Sequence, residues 1–366
     1  MPRKQRLEPS VFALPVERLR AGYYSDAYFN FTKEVLEHDD LHRRVVMQVF
    51  QKQAGAVLGG VDEAIAMLRL CSGRHADPGA REGWVDGWPD LEVRALYDGD
   101  EVDSWETVLT IEGDYSLFAH LETVYLGVLT RRTLISTNVR RVVEAAAGKP
   151  ILFFPARFDH YRVQTGDGYA AHVAGAIGVS TDAQASWWGG RGIGTVPHGL
   201  IAACNGDTVE AARRFADRFY PDVNVVALVD FDNDCVTTSL ACARALGERL
   251  WGVRLDTAET MVDRSLWDRM GRFKPTGVNP ELVQAVRSAL DAEGFTSVRI
   301  VVSGGFDAAK ISAFERARVP ADAYGVGSSL LRGNTDFTAD VVEVDGRPCA
   351  KAGRGLRENP RLEPVD

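Results

Sequence analysis

Cysteine is scarce and unpatterned in this chain. Cys71, Cys204, Cys235, Cys242 and Cys349 form no Cys-x-x-Cys pair and no even framework. A disulfide scaffold is not expected, nor is a structural zinc, and reduced thiols of a cytoplasmic protein fit the spacing. Long apolar runs are missing too. None approaches the ~20 residues of a membrane span, and the opening MPRKQRLEPS has no signal-peptide core. Positive charge is in deficit, with 42 Lys plus Arg against 51 Asp plus Glu and a formal net charge of −9. A broadly basic surface for nucleic acid is therefore excluded, and any anionic ligand must meet a local cluster. The remainder is 45% apolar and 25% charged over 366 residues, enough to bury one large core or two ordinary ones.

The first third reads as α+β. Ser25 is placed to cap a helix through SDAYFNFTKEVLE, and RRVVMQVFQK follows as a strand. DEAIAMLRLC is an amphipathic helix, LEVRALYDG and WETVLTIEG are strands, and YSLFAHLETVYLGVLTRRT is a helix leading onward. From about residue 137 the rhythm changes. A second helix, STNVRRVVEAAAG, opens a series of short apolar runs separated by amphipathic helices: ILFF, AGAIGV, GIGTV, NVVALV, WGVRL, VRIVV and DAYGV. Asp207 caps one intervening helix, with Val209, Ala212, Ala216 and Phe219 inward. Asn279 caps another, with Pro280 at its first position and Leu282, Val283, Val286 and Leu290 inward. Strands alternating with helices over some 200 residues predict a parallel (β/α) barrel. The tail, DVVEVDGRPCAKAGRG, reads as two strands around Asp345–Gly346 that return to the N-terminal sheet. The predicted fold class is α/β: an irregular (β/α) barrel over 131–334, plus an α+β domain from 1–130 with 335–366.

What ends each apolar run carries the chemistry. ILFF runs into Arg157, AIGV into Ser180–Thr181, GIGTV into His198, and NVVALV into Asp230, Asp232 and Asp234. WGVRL holds Arg254 and ends in Asp256; the last two runs end in Ser303–Gly304–Gly305 and Gly327–Ser328–Ser329. The C-terminal strand ends of a barrel share one face, and that face holds the site. Seven such ends with reactive or ligand-binding types make a constellation.

Each member also has a plainer reading. The two glycine turns are either ordinary turns or, as a pair, a phosphate cradle where backbone N–H groups meet an anion without a Cβ in the way. His198 is a hydrogen-bonded structural histidine or a functional one. Asp234 suits a helix cap, while Asp230 suits the mouth. Arg254 and Asp256, two residues apart, project to the same side of the strand. They form either an ion pair or a guanidinium for anionic oxygens beside a carboxylate for ribose hydroxyls or hydrated Mg²⁺. Arg131, Arg132, Arg140 and Arg141 read mostly as exposed helix charges, with one or two free for a phosphate or carboxylate. These residues alone describe a barrel for a phosphorylated sugar without naming a reaction.

At these residues the chain resembles the nicotinate phosphoribosyltransferases, type II phosphoribosyltransferases. The resemblance runs through Asp26-x-Tyr28, Phe154-x-x-Arg157, Gly194–Thr195–Val196–Pro197–His198, Leu228–Val229–Asp230 and Gly252–Val253–Arg254–Leu255–Asp256. It continues in Ser303–Gly304–Gly305–Phe306–Asp307 and Gly325–Val326–Gly327–Ser328. It implies transfer of phosphoribose from phosphoribosyl pyrophosphate (PRPP) to nicotinate, with Mg²⁺ and ATP, in a homodimer with shared sites. Tyr28 with Asp26 would come from the partner, and Tyr28 and Phe154 to Arg157 would sandwich the pyridine. Asp230, Arg254 and Asp256 would hold ribose, pyrophosphate and Mg²⁺, with the metal reached through water or substrate. Ser303, Gly304, Gly305, Gly325, Gly327 and Ser328 would take the 5′-phosphate. His198 would be phosphorylated by ATP. Thr257–Ala258 stand where many relatives have Ser-Gly, and the zinc-binding cysteine tail of some relatives is not expected here.

Three rivals remain. Quinolinate phosphoribosyltransferase would need several cations for two carboxylates. Amide-using relatives place an Asp where this chain has Ser180, beside Thr181; a serine hydroxyl there can donate to a carboxylate, which favours nicotinate over nicotinamide. Outside enzymes, the chain reads as a phosphosugar-binding sensor barrel.

Overall fold

A computed structural model describes residues 5–77 and 82–366. Its backbone contacts divide the chain into two compact units, Met1–Thr137 with Gly333–Asp366, and Asn138–Arg332.

The first unit is built on a six-stranded antiparallel sheet. Its order is Arg347–Pro348, Phe337–Val344, Arg44–Gln51, Thr107–Asp114, Glu92–Ala95, Glu363–Pro364. The C-terminal tail does return to the N-terminal sheet, supplying three of the strands. Asp345 and Gly346 both adopt positive φ, 50° and 72°, the geometry of a two-residue turn matched to strand twist. Val49, Val108 and Ile111 bury one face of the sheet with Leu58 and Leu68, and Val61–Cys71 forms the helix expected there. The helix expected after Ser25 runs Ala27–His38 and follows a short one at Val16–Arg20; Asp26, not Ser25, holds its N-cap position without a side-chain cap bond, and none of its residues is fully buried.

The two helices predicted on either side of residue 137 are one, Glu122–Ala145. Ser136 looked like a helix start, but its hydroxyl bonds back to Arg132 O at 2.9 Å, which keeps it inside a continuous turn. Glu122, in the first turn, is largely buried near Asp340 and Asp26. Burial first, then those carboxylates, push its carboxyl up to about 8. The folded unit therefore holds a proton that the unfolded chain releases between its ordinary pKa, 4.5, and about 8. Stability should fall as pH rises through that window and level off above it. Glu122→Gln should flatten this dependence and raise Tm at pH 8.5 while changing little near pH 4. Thermal melts across pH check this, and equal slopes in both proteins would refute it.

The second unit holds a curled parallel sheet ordered Val225–Leu228, Leu250–Leu255, Arg299–Val302, Ala323–Val326, Ile151–Phe153, Gly178–Val179. The α/β fold class with an irregular barrel stands. GIGTV, however, is not a strand. Gly192 and Gly194 carry little β propensity and Pro197 lacks a donor, so the segment is extended without a ladder. Ile193 N–H donates to Val179 O at 2.8 Å, and Val196 N–H donates to Val226 O at 3.0 Å. This segment thus bridges the two edge strands where a ladder would have closed the barrel.

The helices are capped as their sequences indicate. The carboxyls of Asp207, Asp234 and Asp307 accept from Glu210, Thr237 and Lys310 N–H, and Asn279 accepts from Leu282 N–H. Leu282, Val283, Val286 and Leu290 are buried. The helix Thr208–Phe219 buries Ala211, Ala212 and Ala216, whereas Phe219, expected inward, is 43% exposed at the last turn.

Candidate active site

The C-terminal strand ends of the second unit converge on a cavity of about 760 Å³. Its wall includes Phe154, Arg157, Ser180, Thr181, His198, Arg254, Asp256, Ser303, Gly304, Gly305, Gly325, Gly327 and Ser328. Phe154, Ser180, Asp256, Ser303 and Gly327 each directly follow the last residue of a strand, Arg254 and Gly325 lie within one, and His198 follows the unpaired segment.

Arg254 is the centre of a closed ring of contacts. Its Nε donates to Ser303 Oγ at 2.8 Å, Nη1 to Thr195 Oγ1 at 3.2 Å, and Nη2 to Asp256 Oδ2 at 3.1 Å. Ser303 Oγ in turn donates to Asp256 Oδ1 at 2.7 Å. The guanidinium also lies 5.5 Å from the Phe154 ring centroid. Two neighbouring strands, Leu250–Leu255 and Arg299–Val302, and the irregular segment are thereby tied together at their ends, and the ion pair read from the sequence as one alternative is present.

His198 Nε2 meets Asp230 Oδ1 at 2.9 Å. The imidazole is half exposed, while the carboxylate is 8% exposed. Burial pushes the Asp230 carboxyl up, and the bond from His198 draws it back down. Asp230 is thus set behind the histidine and faces it. His198 opens its helix, His198–Ala203, directly after Pro197.

The two glycine turns differ in geometry. Gly304 and Gly305 have φ of 86° and 68°, which a Cβ would strain. Gly325 and Gly327 are small for packing reasons: a Cβ at Gly325 would stand 2.9 Å from the Phe154 ring, and one at Gly327 3.0 Å from Phe158.

Ser180 and Thr181 are held otherwise than the sequence suggested. The Ser180 hydroxyl proton is directed at Gln184 Oε1, 3.0 Å away, and not at the cavity. Asp26 and Tyr28 stand in the first unit, where Tyr28 is 59% exposed. Among the four arginines, Arg132 is no exposed charge; its Nε pairs with Glu63 at 3.0 Å with both side chains nearly buried.

Comparison with known proteins bears on the family and the fold. Residues 26–133 match the family described as quinolinate phosphoribosyl transferase, N-terminal domain. A nicotinate phosphoribosyltransferase of Mycobacterium tuberculosis is 32% identical over 263 residues, covering 69% of this chain and 53% of its own length. The chain therefore spans about half of that relative. The crystal structure of nicotinate-nucleotide pyrophosphorylase from Pyrococcus furiosus is 32% identical, with a TM-score of 0.78 over 96% of this chain and 85% of that one. The chain belongs to the type II phosphoribosyltransferases. Human nicotinic acid phosphoribosyltransferase, 17% identical with a TM-score of 0.66 over 90% of this chain and 77% of its own, shares the fold.

Within this type II fold, several wall residues carried no sequence signal. Phe158 follows Arg157, whose guanidinium lies 5.5 Å from its ring, and Glu259 packs its carboxylate directly over Gly305. Arg332 closes the rim. Thr257, at the position where many relatives have serine, is 2% exposed, and its Oγ1 lies 3.7 Å from the Cys235 thiol. That hydroxyl faces the core and is not part of the cavity wall.

Proposed function

We propose that the chain transfers phosphoribose from PRPP to the ring nitrogen of nicotinate, giving nicotinate mononucleotide and pyrophosphate for pyridine nucleotide synthesis, with ATP coupled through His198. The observation that carries this reading is one cavity lined by the Arg254–Asp256–Ser303 ring, two glycine turns and His198, which Asp230 backs from outside the wall. Displacement at the anomeric carbon passes through an oxocarbenium-like state, so the protein needs positioning and charge more than a nucleophile. Arg254 faces the anionic oxygens, Asp256 the ribose hydroxyls, and the Gly304–Gly305 turn the 5′-phosphate. Phe154 and Phe158 provide apolar surface for the pyridine.

No group of three acidic, histidine or cysteine side chains converges on a metal position among the described residues. Asp256 and Asp230 already face Arg254 and His198, a donor set that fits Mg²⁺ carried by substrate oxygens and water and not an all-protein cage. When bound, the ion would neutralise the leaving pyrophosphate.

Pyrophosphate release from PRPP with nicotinate, nicotinamide or quinolinate, with and without ATP, tests the reading. Release with nicotinate that ATP stimulates supports it. The match of residues 26–133 keeps quinolinate as the second reading, and release with quinolinate alone would select it. Release with no ring at all leaves the sensor barrel.

Tyr28 and Asp26 we assign to a neighbouring subunit's site in a homodimer. The support is a large exposed aromatic on a helix with no fully buried residue. Mixing inactive Tyr28→Ala and Asp256→Ala subunits should then restore part of the activity, since one site of each mixed dimer is intact. No recovery after confirmed subunit exchange would count against a shared site.

A further inference from the structure

The end of the Gly178–Val179 strand presents two hydroxyls to the cavity, and the direction of their protons is fixed by two glutamines. Ser180 N–H and Ser180 Oγ both lie 3.0 Å from Gln184 Oε1. A backbone N–H can only donate, so the amide atom it meets is the oxygen. Facing an amide oxygen, the hydroxyl must also donate, and its proton is spent inward. Thr181 is arranged the same way. Its Oγ1 accepts from Gln184 N–H at 3.1 Å and donates to Gln164 Oε1 at 3.0 Å, while Gln164 Nε2 turns to Ala156 O at 3.4 Å.

Gln184 has little freedom to change this. It is 1% exposed and packs against Gly168, where a Cβ would come within 2.2 Å of the Gln184 carbonyl oxygen. With both protons committed, what Ser180 and Thr181 offer the cavity is lone pairs. Toward the cavity these two hydroxyls accept hydrogen bonds and donate none. A carboxylate finds no hydroxyl donor there, whereas a carboxamide N–H finds an acceptor.

We propose that Gln184 is a positioning residue that sets the polarity of the ring-selecting edge, so that the site takes a pyridine carboxamide as well as the acid. The acid's carboxylate is met by the Arg157 guanidinium at the same mouth, not by Ser180. This rests on the function proposed above and names which ring substituents that site admits.

The test measures kcat/KM for nicotinate and nicotinamide in the wild-type protein, Ser180→Ala, Gln184→Met, Gln184→Glu and Ser180→Ala/Gln184→Met. Wild-type protein should turn over both rings. Ser180→Ala should leave nicotinate within about threefold and lower nicotinamide about fivefold to tenfold, the value of one hydrogen bond. Gln184→Met should shift the ratio toward the acid by a similar factor, by freeing the Ser180 proton, and Ser180→Ala should erase that gain in the double variant. Gln184→Glu keeps an oxygen before both donors and should stay on the amide side. A purely structural role for Gln184 would lower both rings alike and overturn the proposal. So would a loss of nicotinate use in Ser180→Ala, a result that stands even if Gln184→Met fails to fold. Wild-type turnover of nicotinate without nicotinamide overturns this proposal alone. Turnover of neither ring overturns the functional reading and this proposal with it.

Discussion

His198→Ala is expected to abolish ATP hydrolysis and ATP stimulation while leaving slow, ATP-independent transfer. With Nε2 on Asp230 Oδ1 at 2.9 Å, the proton of neutral imidazole sits on Nε2, and the Nδ1 lone pair has no partner among the described residues. In-line attack by Nδ1 on the γ-phosphorus of ATP would form the N–P bond as the bond to the ADP oxygen breaks, its electron pair leaving with ADP. The ring then carries positive charge, which Asp230 is placed to stabilise without taking the proton, as the aspartate does behind the histidine of a serine protease. On this proposal the phosphoryl group would add charge and acceptor oxygens in the cavity that Arg254 lines, so PRPP affinity should rise and fall with it. The proposed histidine role involves no attack on the ribose, so its loss should spare the uncoupled reaction. Asp230→Asn should leave the ring in place and slow phosphorylation on the order of 10² or more. Acid-labile phosphate on wild-type protein incubated with ATP, and none on the alanine variant, is the readout. Full ATP stimulation in His198→Ala would remove the histidine from the coupling.

Arg254→Gln should lower kcat/KM for PRPP by roughly 10³. The substitution breaks three hydrogen bonds at once and leaves Asp256, 21% exposed, beside Ser303 without its cation. Removing one partner of a largely buried pair costs about 3–5 kcal/mol in stability, less where water reaches it, so Tm should fall as well. The catalytic loss has a separate origin, the missing positive charge where pyrophosphate builds negative charge, at about 1.4 kcal/mol per factor of ten. Arg254→Lys discriminates the two. A lysine restores charge but not the three-way fork, so it should recover only part of the affinity. A Tm drop with unchanged PRPP kinetics would make Arg254 a structural knot and nothing more.

Much of the site was legible because a polar residue directly after a buried apolar run has one place to go. Ser180, Asp256 and Ser303 were found that way, Arg157 and His198 one or two residues beyond a run and Arg254 inside one, and all line one cavity. Helix caps were legible for a similar reason, since Asp207 and Asn279 satisfy local N–H groups whatever the tertiary surroundings. The failures have equally local causes. GIGTV has the apolar content of a strand, but its glycines and following proline prevent a ladder, and burial alone does not reveal pairing. Ser136 carries the same side chain in a cap and in a back-bonded helix turn, so the single helix Glu122–Ala145 was read as two. Gln184 left no trace at all. A buried glutamine has no periodicity, and only its distance to Ser180 shows that the hydroxyl donates to Gln184 and not to the cavity.

The irregular wall of the barrel has a mechanical consequence. Residues 193–196 meet the sheet edges through two isolated backbone hydrogen bonds among the described residues, whereas Arg254 lies within a strand laddered on both sides. Each such bond is worth about 1 kcal/mol net, so beyond the Thr195–Arg254 contact and the buried Val196 side chain this segment is held by fewer backbone bonds than a laddered strand. The imidazole that would alternate between nucleotide and phosphoribose is carried at the end of the compliant wall. The guanidinium that must stay aimed at one place is carried on the stiff one. Compliance and rigidity are thus apportioned side by side around a single cavity, through the placement of two glycines and a proline before His198.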